Sequence, residues 1–205
     1  MKQAILFVDS SNVYHALKEE KMLDSFSYKW LFEELSKKFQ INKVYFYDAV
    51  KNEKIEPIGF RKQQKFHANL EKEIPNIIIS HRKLKYDNVE KRIKDAKDRS
   101  DFCESCKNKI QDFLKIAGLT KISHEKGVDV MLVTDMIKNA FQDKFQTALL
   151  FSGDADFIPA IELVKNLKKD VINIHLYSGS ARELRLACDN HILVGKDSNN
   201  NLFIN

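Results

Sequence analysis

No uninterrupted apolar run in the 205-residue chain approaches the roughly 20 residues that a membrane-spanning helix requires, which argues against a bilayer span. The apolar stretch Ile5 to Val8 follows Lys2 but stops at Asp9, too short for the core of a secretory signal, so a cytoplasmic location is expected. Cysteine is scarce: Cys103, Cys106 and Cys188 are too few, and odd in number, for a disulfide framework, which fits a reducing compartment. Neither a GxxxxGKS/T loop nor a GxGxxG fingerprint occurs, leaving nucleoside triphosphate and dinucleotide binding without a motif. There is no internal repeat, and the one low-complexity stretch is the polar turn Ser198 to Asn201.

Against these absences stands a hydrophobic content of 43%, enough for one substantial core. One domain over residues 1–205 is expected, carrying a charged insertion at about 86–118. The net charge of +5 is unevenly spread: the window Arg61 to Arg99 holds 12 Lys or Arg against 6 Asp or Glu. Such an excess can be the footprint of a polyanion-binding face, but charge alone favours a solvated lysine-rich helix face.

Hydrophobic periodicity divides the chain into alternating elements. Ala4 to Val8 reads as a buried strand, followed by a helix containing Tyr14 and Leu17. Tyr28 to Phe39 and Pro57 to Glu73 read as helices, Val44 to Val50 and Ile77 to Ser80 as strands. The text then becomes charged; Tyr86 to Lys107 reads as insertion, and Ile110 to Ala117 as an amphipathic helix stopped by Gly118. Beyond it, Val128 to Phe141 repeats Val130, Val133, Ile137, Ala140 and Phe141 at helical spacing. Thr147 to Phe151, Val171 to Tyr177 and Ile192 to Val194 follow as strands, separated by helices over Phe157 to Leu167 and Ala181 to Cys188. Strands apolar on both faces and alternating with helices predict a three-layer α/β/α fold around a mostly parallel sheet. Functional residues in such sheets follow the carboxyl ends of strands.

Two segments meet that rule: Phe7-Val8-Asp9-Ser10-Ser11-Asn12 and Phe151-Ser152-Gly153-Asp154-Ala155-Asp156-Phe157. A third, Glu125-Lys126-Gly127-Val128-Asp129-Val130, opens the helix before the second. Each aspartate has a plain structural use as a helix cap, a turn residue or a first-turn partner of the helix dipole. Asp135, deeper in that helix, reads as solvent-facing or as a hydrogen-bond partner of the site. If Asp9, Asp129, Asp154 and Asp156 converge, two carboxylates about 5 Å apart repel by roughly 3 kcal/mol at an effective dielectric near 20. A cation relieves that repulsion, and hard oxygen ligands select Mg²⁺ or Mn²⁺. Such a site activates water and stabilises charge on a phosphodiester.

Taken in order, FVDSSN, EKGVDV and FSGDADF resemble the NYN domain family of PIN-like nucleases, including LabA-like proteins, over nearly the whole chain. Ser180 to Leu184 and Ala187 to Asp189 look like the family's C-terminal serine, leucine and aspartate. The resemblance implies a PIN-like fold and metal-dependent endonucleolytic hydrolysis of RNA, leaving 5′-phosphate and 3′-hydroxyl ends. It implies catalytic and metal-binding roles for Asp9, Asp129, Asp154 and Asp156. Asn12 is similar to the family's asparagine near the scissile phosphate and Ser152 to its supporting hydroxyl, while Lys126 reads either as offsetting phosphate charge or as an exposed lysine at the helix entry. Arg82, Lys83, Ser180 and Arg182 complete the expected substrate-binding set. The expected partner is single-stranded or structured RNA, with DNA and a homodimer both open and no membrane partner.

Other features admit other readings. Cys103-Glu104-Ser105-Cys106 is half a structural zinc site, which His81, His124 or Cys188 would have to complete, or else a metal-free pair; a thioredoxin-like role lacks the strand context. Phe60, Phe66 and Tyr86 interleave with the basic window as base-stacking or core aromatics. Tyr14, His15, His67, His175 and His191 read as structural. An RNA-binding module without turnover is the main alternative function. A haloacid-dehalogenase-like phosphatase is another, opposed by Ser11 where that chemistry needs a second aspartate.

Overall fold

The computed structural model describes residues 1–88, 95, 102–116, 121–124 and 126–205. The chain forms two compact units, one of Met1–Arg82 with Gly127–Asn205 and the other of Lys83–Lys126. The Gly118 helix stop and Glu125 lie outside the described residues.

The larger unit is a seven-stranded sheet flanked by helices. In chain order its elements are β1 (Gln3–Asp9), α1 (Ser10–Glu19), α2 (Tyr28–Ser36), β2 (Gln40–Val50), α3 (Pro57–Glu73) and β3 (Ile77–Lys83). The smaller unit contributes β4 (Lys85–Asn88), α4 (Glu104–Ile116) and β5 (Lys121–His124), with β4 and β5 paired antiparallel. The larger unit resumes with α5 (Val128–Phe141), β6 (Thr147–Phe151), a 3₁₀ turn at Ala155–Phe157 and α6 (Ile158–Asn166). It finishes with β7 (Asp170–His175), α7 (Arg182–Ala187), β8 (Asn190–Lys196) and β9 (Leu202–Ile204). No helix among the described residues is long and apolar enough to cross a membrane.

The sheet order is β3-β2-β1-β6-β7-β8-β9. β1 pairs parallel with β2 and β6, and the parallel ladder continues through β7 to β8, so the α/β fold expected from alternating apolar runs is the fold found. β1 and β6 are buried along almost their whole length, which is why they read as continuous apolar runs. The progression runs one way from β1 to β3 and the other way from β6 to β8, so the strand order switches direction between β1 and β6, the point beyond whose carboxyl ends open α/β sheets place their ligands. Val8 stands opposite Phe151, so Asp9 and Ser152 leave neighbouring strands side by side.

Several sequence expectations need correction. α4 begins at Glu104, inside the stretch read as insertion, because Lys107 N–H already bonds the Cys103 carbonyl at 3.0 Å. β4, β5 and β9 were not expected; β9 pairs antiparallel on the outer edge of β8. β7 ends at His175, short of Tyr177. In α5 the core face is Val128, Leu132, Met136, Asn139 and Ala140, whereas Val130 and Phe141 are 67% and 79% exposed. Asn139 holds a core position by donating to the Asp135 carbonyl and to Tyr45 Oη, so one polar side chain shifts the apolar period.

Candidate active site

Asp9 is the last residue of β1 and the N-cap of α1, and it is only 4% exposed. Its Oδ1 accepts the Asn12 N–H at 3.3 Å, and its Oδ2 accepts the Ser152 hydroxyl at 2.9 Å. Capping and site construction are thus the same act, one oxygen serving each. Asn12 continues the link, its side-chain oxygen accepting the Gly153 N–H at 2.8 Å. Ser152 Oγ accepts the Asp154 N–H at 3.2 Å, and Asp154 caps the 3₁₀ turn by accepting the Asp156 N–H at 2.9 Å.

Behind this turn, Asn173 of β7 is wholly buried and donates to the Ser152 carbonyl at 2.8 Å and the Leu150 carbonyl at 3.2 Å. Its sequence signal was a polar residue inside a strand apolar on both faces, and it was missed. Gly153 is close-packed for a different reason: an added Cβ would fall 1.7 Å from the Gly179 carbonyl oxygen. The Ala181 N–H donates to the Gly153 carbonyl at 2.9 Å, docking residues 179–181 on the turn. Arg185 donates to both the carbonyl and the hydroxyl of Ser180. Arg182 starts α7 and is exposed.

Asp129 occupies the first turn of α5, entered through Gly127 at φ +80°, a left-handed conformation that glycine adopts without strain. Burial, then the charges of Asp154 and Asp156, hold the Asp129 carboxyl above its ordinary range. Asp9 is pushed up to about 6, chiefly by burial, against the hydrogen bonds of Ser152 and Asn12, with further upward pressure from the charges of Asp129 and Asp154. These mutual effects tie Asp9, Asp129 and Asp154 electrostatically, with Asp156 joining through Asp129. No ion pair among the described residues engages any of the four.

The donor chemistry fits a hard cation: unneutralised carboxylates, one of them buried, with no soft ligand among them. The arrangement is open rather than caged, since among the described residues no three His, Cys, Asp or Glu side chains approach closely enough to hold an ion by themselves. Cys103 and Cys106 accordingly gain no third ligand for the zinc alternative among those residues.

Arg82 is exposed and directs its Nε–H to the Met131 sulfur at 3.1 Å, two residues beyond Asp129. Lys83 and Lys126 belong to the smaller unit. Asp135 accepts the Tyr47 hydroxyl at 3.0 Å, a hydrogen bond within the fold rather than a free solvent-facing carboxylate. Phe66 packs edge-on against Phe46, with centroids 5.9 Å apart.

Beside Asp9 lies a network that sequence reading did not find. Asp48 of β2 accepts from Ser10 Oγ at 2.8 Å, from Gln63 Nε2 at 2.7 Å and from its neighbour Ala49 N–H at 2.8 Å, with His67 Nε2 at 2.7 Å. The buried His67 thus pins α3 to β2. Its only signal was a histidine on the inner face of an amphipathic helix, which does not name its partner.

Residues 3–195 match the NYN domain. The chain belongs to the NYN domain family. The NYN domain family is a family of PIN-like nucleases. A crystal structure of a protein of unknown function from Vibrio parahaemolyticus RIMD 2210633 has a similar fold, with a TM-score of 0.63 at 18% identity, covering 98% of this chain and 96% of that one. No curated protein matches the chain.

Proposed function

We propose that this NYN domain is a divalent-metal-dependent endoribonuclease, hydrolysing phosphodiester bonds of RNA at the carboxyl ends of β1 and β6. The observation that carries the reading is Asp9: a nearly buried carboxylate with no cationic partner among the described residues, raised to about 6 and coupled to Asp129 and Asp154. Folding a charge into such surroundings is costly unless a ligand compensates it. Mg²⁺ or Mn²⁺, held by Asp9, Asp129, Asp154 and Asp156, would supply charge stabilisation on the phosphate and a more acidic water.

The chain's own groups do the positioning. The Ser152 hydroxyl and Asn12 N–H orient the two oxygens of Asp9. Because the Asn12 side-chain oxygen is engaged by Gly153, its amide nitrogen is the atom left to donate to a phosphate oxygen. On the larger unit, Arg82, Ser180 and Arg182 are assigned to the RNA backbone, whose affinity is dominated by phosphate charge; Lys83 and Lys126 carry the same assignment on the smaller unit by itself. We assign residues 1–205 to one NYN domain interrupted at about 86–118, acting in the cytoplasm.

Mn²⁺-dependent cleavage of end-labelled single-stranded RNA tests the proposal. Asp154→Asn should lower the rate by about a hundredfold or more, the loss typical when one group stabilising developing charge is removed. Equal cleavage by wild type and variant would remove Asp154 from the chemistry. A second reading, an RNA-binding module without turnover, is favoured by the open arrangement of the acidic side chains. Tight RNA binding without cleavage in Mg²⁺, Mn²⁺ or any other divalent metal would establish it instead.

A further inference from the structure

The CxxC of the smaller unit takes no part in the acidic site and has a chemistry of its own. Cys103 immediately precedes α4, and its carbonyl accepts the first helical bond, from the Lys107 N–H at 3.0 Å. Cys106 lies three residues on, so both side chains project from one face of the helix entrance. Their sulfurs are 3.4 Å apart, and both residues are exposed. Bond formation needs an approach to roughly 2.05 Å, and an i,i+3 pair on a helix falls within the Cα separation that a disulfide tolerates.

We propose that Cys103 and Cys106 form a thiol–disulfide exchange site that reduces low-molecular-weight disulfides and closes a reversible 103–106 disulfide, with Cys103 attacking and Cys106 resolving.

The asymmetry between the two sulfurs follows from their positions. The Cys106 backbone N–H, and then the thiol–thiol hydrogen bond in which Cys103 Sγ donates to Cys106 Sγ at 3.4 Å, hold the Cys103 thiol below the usual cysteine range. At a helix N-terminus the unpaired N–H groups stabilise an anion, so Cys103 is the sulfur that presents as thiolate. The thiolate attacks one sulfur of the small disulfide, displacing one small thiolate, which takes up a proton, and leaving a mixed disulfide on Cys103. Cys106, deprotonated as it attacks, then displaces the second small thiol from the Cys103 sulfur. Two protein thiols are oxidised and one small disulfide is reduced to two thiols, so electrons and protons balance. Cys188 is an internal contrast: it is buried, and burial pushes its thiol up to about 12.

The test exposes the full chain to oxidised glutathione at neutral pH, quenches with acid and reads intact mass with peptide mapping. Wild type should lose two hydrogens, with the bridge mapping to residues 103 and 106 and Cys188 unmodified. Cys106→Ser should stop at one glutathionyl adduct on Cys103, and Cys103→Ser should react severalfold more slowly. Both substitutions replace exposed side chains, and unchanged circular dichroism would verify the fold. Lasting adducts on both cysteines of the wild type, or equal reaction rates for the two variants, would overturn the assignment. So would a stoichiometric zinc ion in the purified protein that leaves both thiols unreactive.

Discussion

Asp9 binds two parts of the molecule together while standing in an unfavourable place for its charge. Its carboxyl has an ordinary value of 3.8 and is raised to about 6 in the fold, so the folded state favours the protonated form. Below about pH 4 the group is neutral in both states and costs nothing. As pH rises through about 6 it ionises in the fold too, and the accumulated loss approaches about 3 kcal/mol. In the absence of metal, the melting temperature of wild type should therefore fall between pH 4 and 6 relative to that of Asp9→Asn. Parallel curves, measured by differential scanning fluorimetry across that range, would show that Asp9 titrates normally. Asn173 makes the complementary case among uncharged groups. Replacing it with alanine strips the Ser152 carbonyl of its buried donor and should destabilise the protein by about 1–3 kcal/mol, as read from chemical denaturation.

Among the elements, two glycines separate close approach from backbone freedom. Gly153→Ala would drive a methyl group into the Gly179 carbonyl, and neither backbone can yield without breaking the Ala181 to Gly153 hydrogen bond. A loss of about 2–3 kcal/mol or more is expected, together with loss of the site. Gly127→Ala meets no atom within 4 Å and pays only for its left-handed backbone, about 1 kcal/mol. Equal urea midpoints for the two variants would refute this distinction.

The elements also show which information lay in the sequence. β1, β6 and α3 were legible because burial and period leave a direct trace in residue order, and the placement of Asp9 and Asp154 at strand ends was legible for the same reason. The contact of Gly153 with Gly179 was not, since glycine says that space is short without saying what fills it. Asp48 escaped notice because it lies inside β2 rather than directly after it, and its partners, Ser10, Gln63 and His67, come from elements far apart in sequence. α5 was placed correctly but turned too far toward Val130 and Phe141, because Asn139 occupies a core position that a hydrophobic pattern leaves blank.

For the molecule as a whole, the strongest expectation is linkage between a cation and folding. A ligand that binds only the folded state stabilises it by about 2.7 kcal/mol at a hundred times its Kd. For a chain of this size that corresponds to a rise of roughly 5–10 °C in Tm, which a thermal-shift titration with Mn²⁺ reads directly. The rise should vanish in the Asp9→Asn, Asp154→Asn double variant; if it persists, the stabilising ion binds elsewhere.

The hydrogen bond from Ser152 to Asp9 spans 143 positions of sequence. Pairing β1 with β6 closes a long loop before any reward from the contact is collected, the circumstance that slows nucleation in chains dominated by non-local pairings. The acidic site should consequently be among the last features to mature: after dilution from denaturant, helical ellipticity returns first, and the proposed cleavage activity lags until the two central strands have found one another.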